Sequence, residues 1–248
     1  MVLDLPFEPW LALAFALAAA LYASVGHAGA SAYIAIMALY GVAPEAIRPI
    51  ALTLNVVVAT FGLARYLRAG QFRWRALWPF LVGALPMAFL GGATTLPADW
   101  FKRLVGAVLL LSAVRLLRPG APASERALRD PPVLAGIAGG AGIGLLSGLT
   151  GTGGGIFLSP LLIFAGWVSP KASAGVAAAF ILGNSLAGLA GRGIALGSLP
   201  ASLPLYAGAV LAGALLGTQL ALTRPPAFLL RALGLVLAVA GLKLLLNL

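Results

Sequence analysis

The chain has 248 residues, 61% of them hydrophobic and 9% charged, with a mean hydropathy of +1.04. Soluble domains carry roughly 25% charged residues, so a water-soluble fold could not hide this much apolar surface, and lipid must be part of the solvent. The net charge of +10 does not point to nucleic acid: the sixteen Lys and Arg stand at the ends of apolar runs, as they do in the cytoplasmic loops of membrane proteins.

The first segment, MVLDLPFEPW, carries Asp4 and Glu8 and no basic residue, unlike the positive n-region of a signal peptide. Apolar runs then follow at Pro9–Val25, Ser31–Val42, Ala46–Tyr66, Ala76–Leu96 and Trp100–Leu117. A polar stretch, RPGAPASERALRDPP, separates them from runs at Val133–Leu149, Ile156–Val168, Ala172–Ala190, Leu199–Ala221 and Ala227–Leu246. A spanning helix needs about 20 residues, and eight runs approach or meet that length. Ser31–Val42 and Ile156–Val168 do not. Each short run follows a glycine-rich break, GHAG at Gly26 and GTGGG at Gly151, and each is closed by a proline step, at Ala43 and at Ser169.

These features predict an all-α polytopic membrane protein of 8–10 membrane segments, built as two repeats. Residues 1–117 form the first repeat, 118–132 a cytoplasmic linker and 133–248 the second repeat. Arg65, Arg68, Arg73 and Arg75 between the third and fourth runs, and Arg115, Arg118, Arg126 and Arg129 around the linker, place both regions in the cytoplasm. Asp99 is then outside. The second-half counterpart of the first cluster is the single Arg192, which fits an inverted repeat, although one arginine does not exclude parallel repeats.

In hydrocarbon every backbone N–H and C=O needs a partner, so a helix broken at depth must be buried in protein or line a wet cavity. Glycine lets the backbone approach a ligand or take positive φ. The short helices aim their N-termini at the breaks, where free N–H groups and the helix dipole favour an anion. The candidate binding residues are therefore Gly26, His27, Ala28, Gly29, Ala30 and Ser31 in the first break and Gly151, Thr152, Gly153, Gly154 and Gly155 in the second. Asn55, Asn184 and Ser185 join them from the runs that follow. The alternative for the glycines is tight helix packing, and for the asparagines a hydrogen bond between helices. Thr53 and Ser185 are weaker candidates, because a hydroxyl can return to its own helix.

None of the six Asp and Glu is central in a run, which disfavours a cation substrate and a carboxylate proton relay. His27 alone titrates near neutral pH, and is either a hydrogen-bonded structural residue or a proton carrier. Arg48 and Lys171, beside the proline steps, read as interfacial anchors. With one His, no Cys and no central acid there is no catalytic triad or metal cage, and no P-loop for ATP. No cofactor is expected.

The stretches SVGHAGASAYIAIMALYGVAPEAIRPIALTLNVVVAT, GLLSGLTGTGGGIFLSPLLI and SPKASAGVAAAFILGNSLAGLAGR resemble the sulfite exporter TauE/SafE family of bacterial membrane proteins. The likeness covers nearly the whole chain, and its most specific parts are Gly151 to Pro160 and the pair Asn184-Ser185. It implies export or uptake of sulfite, sulfonates such as sulfoacetate and other small sulfur-containing anions, and the chain reads as a secondary transporter in the bacterial inner membrane that moves sulfite or an organosulfonate outward. It also implies that Gly26, His27, Gly29, Asn55, Gly151, Gly153, Gly154, Gly155 and Asn184 occupy family-typical positions. A passive anion channel and an accessory scaffold subunit are the alternatives. The partners expected are a small oxyanion, the lipid bilayer and a second copy in a homodimer, and no nucleic acid.

Overall fold

A computed structural model describes residues 8–24, 26–117, 129–193, 199–220 and 227–246. Most of the linker, with Ser124, lies outside the described residues. Those described form ten helices and no strand: α1 (Pro9–Ala23), α2 (Ala30–Tyr40), α3 (Pro44–Arg68), α4 (Trp74–Ala93), α5 (Ala98–Leu117), α6 (Val133–Thr150), α7 (Gly155–Phe164), α8 (Pro170–Arg192), α9 (Leu203–Leu220) and α10 (Ala227–Leu246). Among the described residues, α3, α4, α6 and α8 are long and apolar enough to cross a membrane. Pro44 and Pro170 stand in the first turns of α3 and α8, where a missing N–H costs nothing. Large apolar side chains such as Leu13, Leu17, Leu134 and Leu216 are more than half exposed, as lipid-facing residues are. Trp10, Trp74 and Trp100, at the starts of α1, α4 and α5, are exposed as well, a placement suited to the membrane interface.

The two breaks turn the chain back on itself. Trp10 at the start of α1 stacks edge-on against Tyr40 at the end of α2, with ring centroids 4.9 Å apart, and Phe15 meets Tyr33 at 5.4 Å. Helices α1 and α2 are therefore an antiparallel hairpin with the first break at its tip. The second break has the same form. Gly139 early in α6 lies by Leu161 late in α7, Ile143 lies by Gly154, and the Arg129 amide donates to the Gly166 carbonyl at 3.3 Å where the hairpin closes. Left-handed glycines punctuate both hairpins in corresponding places: Gly26 and Gly151, Gly29 and Gly154, Gly41 and Gly166 (151−26, 154−29 and 166−41 are each 125).

Between the hairpins, α3 and α8 run antiparallel: Asn55 faces Ser185, Gly62 faces Ala178, and Tyr66 faces Gly175. Helices α4 and α6 pack in parallel through a glycine ridge. Gly136, Gly140, Gly144 and Gly148 recur every fourth residue and sit on the backbone or β-carbons of Pro79, Phe80, Ala84 and Ala88. Helices α1 and α9 pack in parallel the same way, with Gly213 on Ala16 and Gly217 on Ala20, and α5 pairs antiparallel with α10.

The ridge makes a prediction. Gly144→Val drives a β-carbon into the Ala84 backbone and forces α4 and α6 apart, at a cost of at least about 1–3 kcal/mol. Gly139→Ala meets only side chains, the Phe80 ring at 3.4 Å and Leu161 at 3.7 Å, and leaves stability within about 1 kcal/mol. Thermal unfolding of the two purified variants checks this pair.

One end of the bundle gathers the end of α3, the start of α4, the start of α6 and the end of α7. There Arg73 Nη2 donates to Asp130 Oδ1 at 2.7 Å and Arg73 Nη1 donates to the Trp167 carbonyl at 2.9 Å. The basic segment after α3 and the end of the linker thus share one side, and Arg75 reaches the same carboxylate at 3.7 Å.

Candidate functional site

Each tip is a place where backbone leaves the helix inside the bundle. Gly29 (φ 102°) precedes α2 and Gly154 (φ 80°) precedes α7, both in the left-handed region that favours glycine. Neither short helix has a side-chain N-cap. The amides of Ala32 and Tyr33 return to the Gly29 carbonyl, and those of Phe157 and Leu158 to the Gly154 carbonyl. The amides of Ala30, Ser31, Gly155 and Ile156 have no backbone partner among the described residues, as the first N–H groups of a helix do not.

The tips come from opposite sides and touch. His27 Nε2–H donates to the Gly155 carbonyl at 3.2 Å, across 128 positions of sequence. The second tip reaches the middle of α3, where a β-carbon on Gly153 would collide with the Asn55 amide nitrogen. It also reaches α8, where a β-carbon on Gly154 would lie 3.0 Å from Asn184 Nδ2. So His27, Gly153, Gly154, Gly155, Asn55, Asn184 and Ser185 converge, from segments far apart in the sequence. The others of the first break stand beside them but are occupied. Ser31 Oγ shares a 2.7 Å hydrogen bond with the Tyr22 hydroxyl, and the Tyr33 hydroxyl donates to the Ala28 carbonyl at 2.6 Å. Gly26 is packed on Ala174 and Tyr66, and Ala30 is buried. In the second break Thr152 Oγ1 lies 3.0 Å from Thr150 Oγ1, and Gly151 sits against Arg48.

What distinguishes the second tip is unmet hydrogen bonding. Asn184 is 0% exposed, and neither its Nδ2 nor its Oδ1 has a partner among the described residues. Asn55, also 0% exposed, reaches Ser185 Oγ with Nδ2 only at 3.5 Å, and its Oδ1 has no partner. A buried polar group left unmet costs about 1–3 kcal/mol, so a chain retains such a pair at the expense of stability. Ser147 Oγ in α6 and Ser159 Oγ in α7 are unmet too. Ser159 lies one turn after Gly155, whose carbonyl is turned to His27. The sequence reading missed both serines. The available signal was their position, flanking the second break within buried runs. Thr53 does return to its own helix, donating to the Pro49 carbonyl at 2.9 Å.

Arg48 corrects the reading of an interfacial anchor. It is 5% exposed, and its guanidinium donates to the carbonyls of Gly91, Thr94, Gly148 and Leu149 at 3.2–3.3 Å. No carboxylate among the described residues pairs with it. It closes the ends of α4 and α6, where partnerless carbonyls and the helix dipoles favour a cation. Arg48 lies only a turn into α3 from the proline step, but the second hairpin's tip packs on it at Gly151. Lys171 is exposed at the start of α8, in keeping with an anchor.

Beside the first tip is a small cleft, lined by Gly26, His27, Val58, Tyr66, Ala178 and Thr218 among others. Arg65 Nη1 donates to Thr218 Oγ1 at 2.6 Å, and its guanidinium carbon is 5.8 Å from the Phe61 ring centre. Arg65 has no carboxylate partner among the described residues. The cleft lies toward the basic end of the bundle, because Tyr66 and Ala178 lie on the segments of α3 and α8 that lead there.

Residues 11–244 match the family described as "Sulfite exporter TauE/SafE". The chain is 41% identical over 239 residues to the "Probable membrane transporter protein y4hK" of Sinorhizobium fredii (strain NBRC 101917 / NGR234), covering 95% of this chain and 97% of that protein. No solved structure matches. A whole-length family match, a relative of the same length and a bundle of apolar helices converge on one conclusion: this protein is a membrane transporter belonging to the sulfite exporter TauE/SafE family.

Proposed function

We propose that the protein is a secondary carrier that exports a small sulfur-containing oxyanion, sulfite or an organosulfonate, across the bacterial inner membrane. The anion is held between the two hairpin tips. The observation that carries this reading is Asn184: a fully buried amide with no partner on either atom among the described residues, set against Gly154 where the first amides of α7 have no backbone partner there either. Those groups are the chemistry that receives an oxyanion's oxygens. The family description names sulfite, which gives the substrate class.

The two halves act as inverted repeats. Supporting this are the paired left-handed glycines, the antiparallel course of α3 against α8, and the exchange of packing partners, α1 on α9 and α6 on α4. With the basic end in the cytoplasm, the first hairpin enters from outside and the second from inside. The cleft is then the cytoplasmic approach, with Arg65 attracting the anion.

The chain has no cysteine, so introduced cysteines can be labelled without background. Gly70→Cys labels from the inside only, and Asp99→Cys and Gly193→Cys from the outside only. Inside labelling at residue 193 contradicts the inverted arrangement. Proteoliposomes holding the pure chain test the activity. Saturable counterflow of sulfite is expected; single-channel currents indicate a pore, and no flux at all indicates a scaffold.

A further inference from the structure

The tips also constrain the charge and protonation of what they bind; this inference rests on the anion-site reading. Each helix N-terminus carries about half a positive charge, so α2 and α7 together offer about one. Arg48 adds little to this, because its guanidinium lies on the C-terminal carbonyls of α4 and α6, whose dipoles offset about one positive charge. Among the described residues, the other basic side chains nearby are Arg65, held on Thr218 at the cleft, and Lys171 and Arg192, which stand at the ends of α8. A monoanion is therefore matched there, and the second charge of a dianion is not.

The unmet atoms add a second condition. Asn184 leaves one donor and one acceptor open whichever way its amide is turned, and Asn55 leaves an acceptor. A fully deprotonated oxyanion has only acceptors, and leaves both amide oxygens without a donor. An oxyanion that keeps one proton satisfies both kinds of group. We infer that the site takes the protonated monoanion, hydrogen sulfite rather than the sulfite or sulfate dianion, so that the proton crosses the membrane on the substrate and no carboxylate relay is needed.

Protein groups that could mimic this pH dependence are few. Helices α6 and α7 have no titratable side chain, and α4, α5 and α9 bring theirs only within two turns of their ends. Facing the tips are His27, Tyr22 and Tyr33 from the first hairpin and Arg48 and Tyr66 from α3. Of these only His27 titrates near neutral pH.

The test is calorimetric titration of the full chain in detergent with sulfite, sulfate and methanesulfonate between pH 6 and 9. Sulfite affinity is expected to fall about tenfold per pH unit above its second pKa, as one required proton is lost. Methanesulfonate, a monoanion throughout without a donor, should bind more weakly than sulfite at pH 6 and show no pH dependence. Sulfate should bind at least tenfold more weakly than sulfite at pH 6. Sulfite affinity that is flat or rises with pH overturns the inference, as does sulfate binding as tightly as sulfite at pH 6. A parallel fall for methanesulfonate assigns the proton to the protein, with His27 the candidate, and overturns it too. If none of the three binds, the anion site itself is wrong.

Discussion

Asn184→Leu abolishes or greatly weakens sulfite transport while leaving the fold as stable as before, or more stable. The side chain is fully buried and makes no hydrogen bond to the described residues, so replacing it with an apolar side chain of similar volume removes no internal bond. It relieves the burial of two unmet polar atoms instead. If the amide serves the anion, each lost hydrogen bond to a charged group costs about 1.5–3 kcal/mol, or roughly 10- to 150-fold in affinity. Loss of function with retained or raised stability is the mark of a ligand contact. An asparagine that joins helices shows the reverse, and unfolding scans beside initial uptake rates separate the two. Gly29 and Gly154 are blunter probes. A β-carbon at Gly29 lies 2.7 Å from the Tyr33 hydroxyl, and one at Gly154 lies 2.8 Å from Ile143, so both substitutions disturb packing as well as the site.

Arg48→Met has the largest effect on the fold. It strips the donor from four carbonyls at the ends of α4 and α6. At about 1 kcal/mol for each buried acceptor left unmet, the loss is about 4 kcal/mol, a large part of an ordinary stability of 5–15 kcal/mol. Arg48→Lys keeps the charge, but its single ammonium cannot span carbonyls from two helices as the planar fork does, so it recovers only part of the loss. Folded yield and the unfolding midpoint in detergent read both variants. Full stability in Arg48→Met shows that the helix ends are closed by other means.

Much of this arrangement was legible in the sequence, because the signals were local. Glycine at Gly29, Gly41, Gly154 and Gly166 marks left-handed backbone, and Pro44 and Pro170 mark helix starts; each depends on its own residue's geometry. The placement of the acidic residues outside the runs needed only their positions. The separation of ridge glycines from break glycines was half legible: the fourfold spacing of Gly136 to Gly148 is a packing signature, whereas GTGGG has no helical period.

What was hidden depends on contacts between distant segments. The contact of His27 with Gly155 spans 128 positions, and the reach of Arg48 to Leu149 spans 101. Nothing beside either residue indicates the partner. The breaks read alike in sequence, but the first is quieted by Tyr22 and Tyr33, whose hydroxyls take up Ser31 and the Ala28 carbonyl. The second has no tyrosine to do so, and keeps Asn184, Ser147 and Ser159 unmet. Two breaks with left-handed glycines in corresponding places thus form two tips of different chemistry.

The central claim is that the meeting tips hold the anion through the amides of Asn55 and Asn184. Thermal unfolding of the pure protein, with and without sulfite, tests it most directly in the wild type and in the Asn55→Leu/Asn184→Leu pair. A ligand that binds only the folded state, present at 100 times its Kd, adds about 2.7 kcal/mol. The account predicts that gain in the wild type and none in the double variant at the same sulfite concentration; an equal gain in both, or none in the wild type, contradicts it.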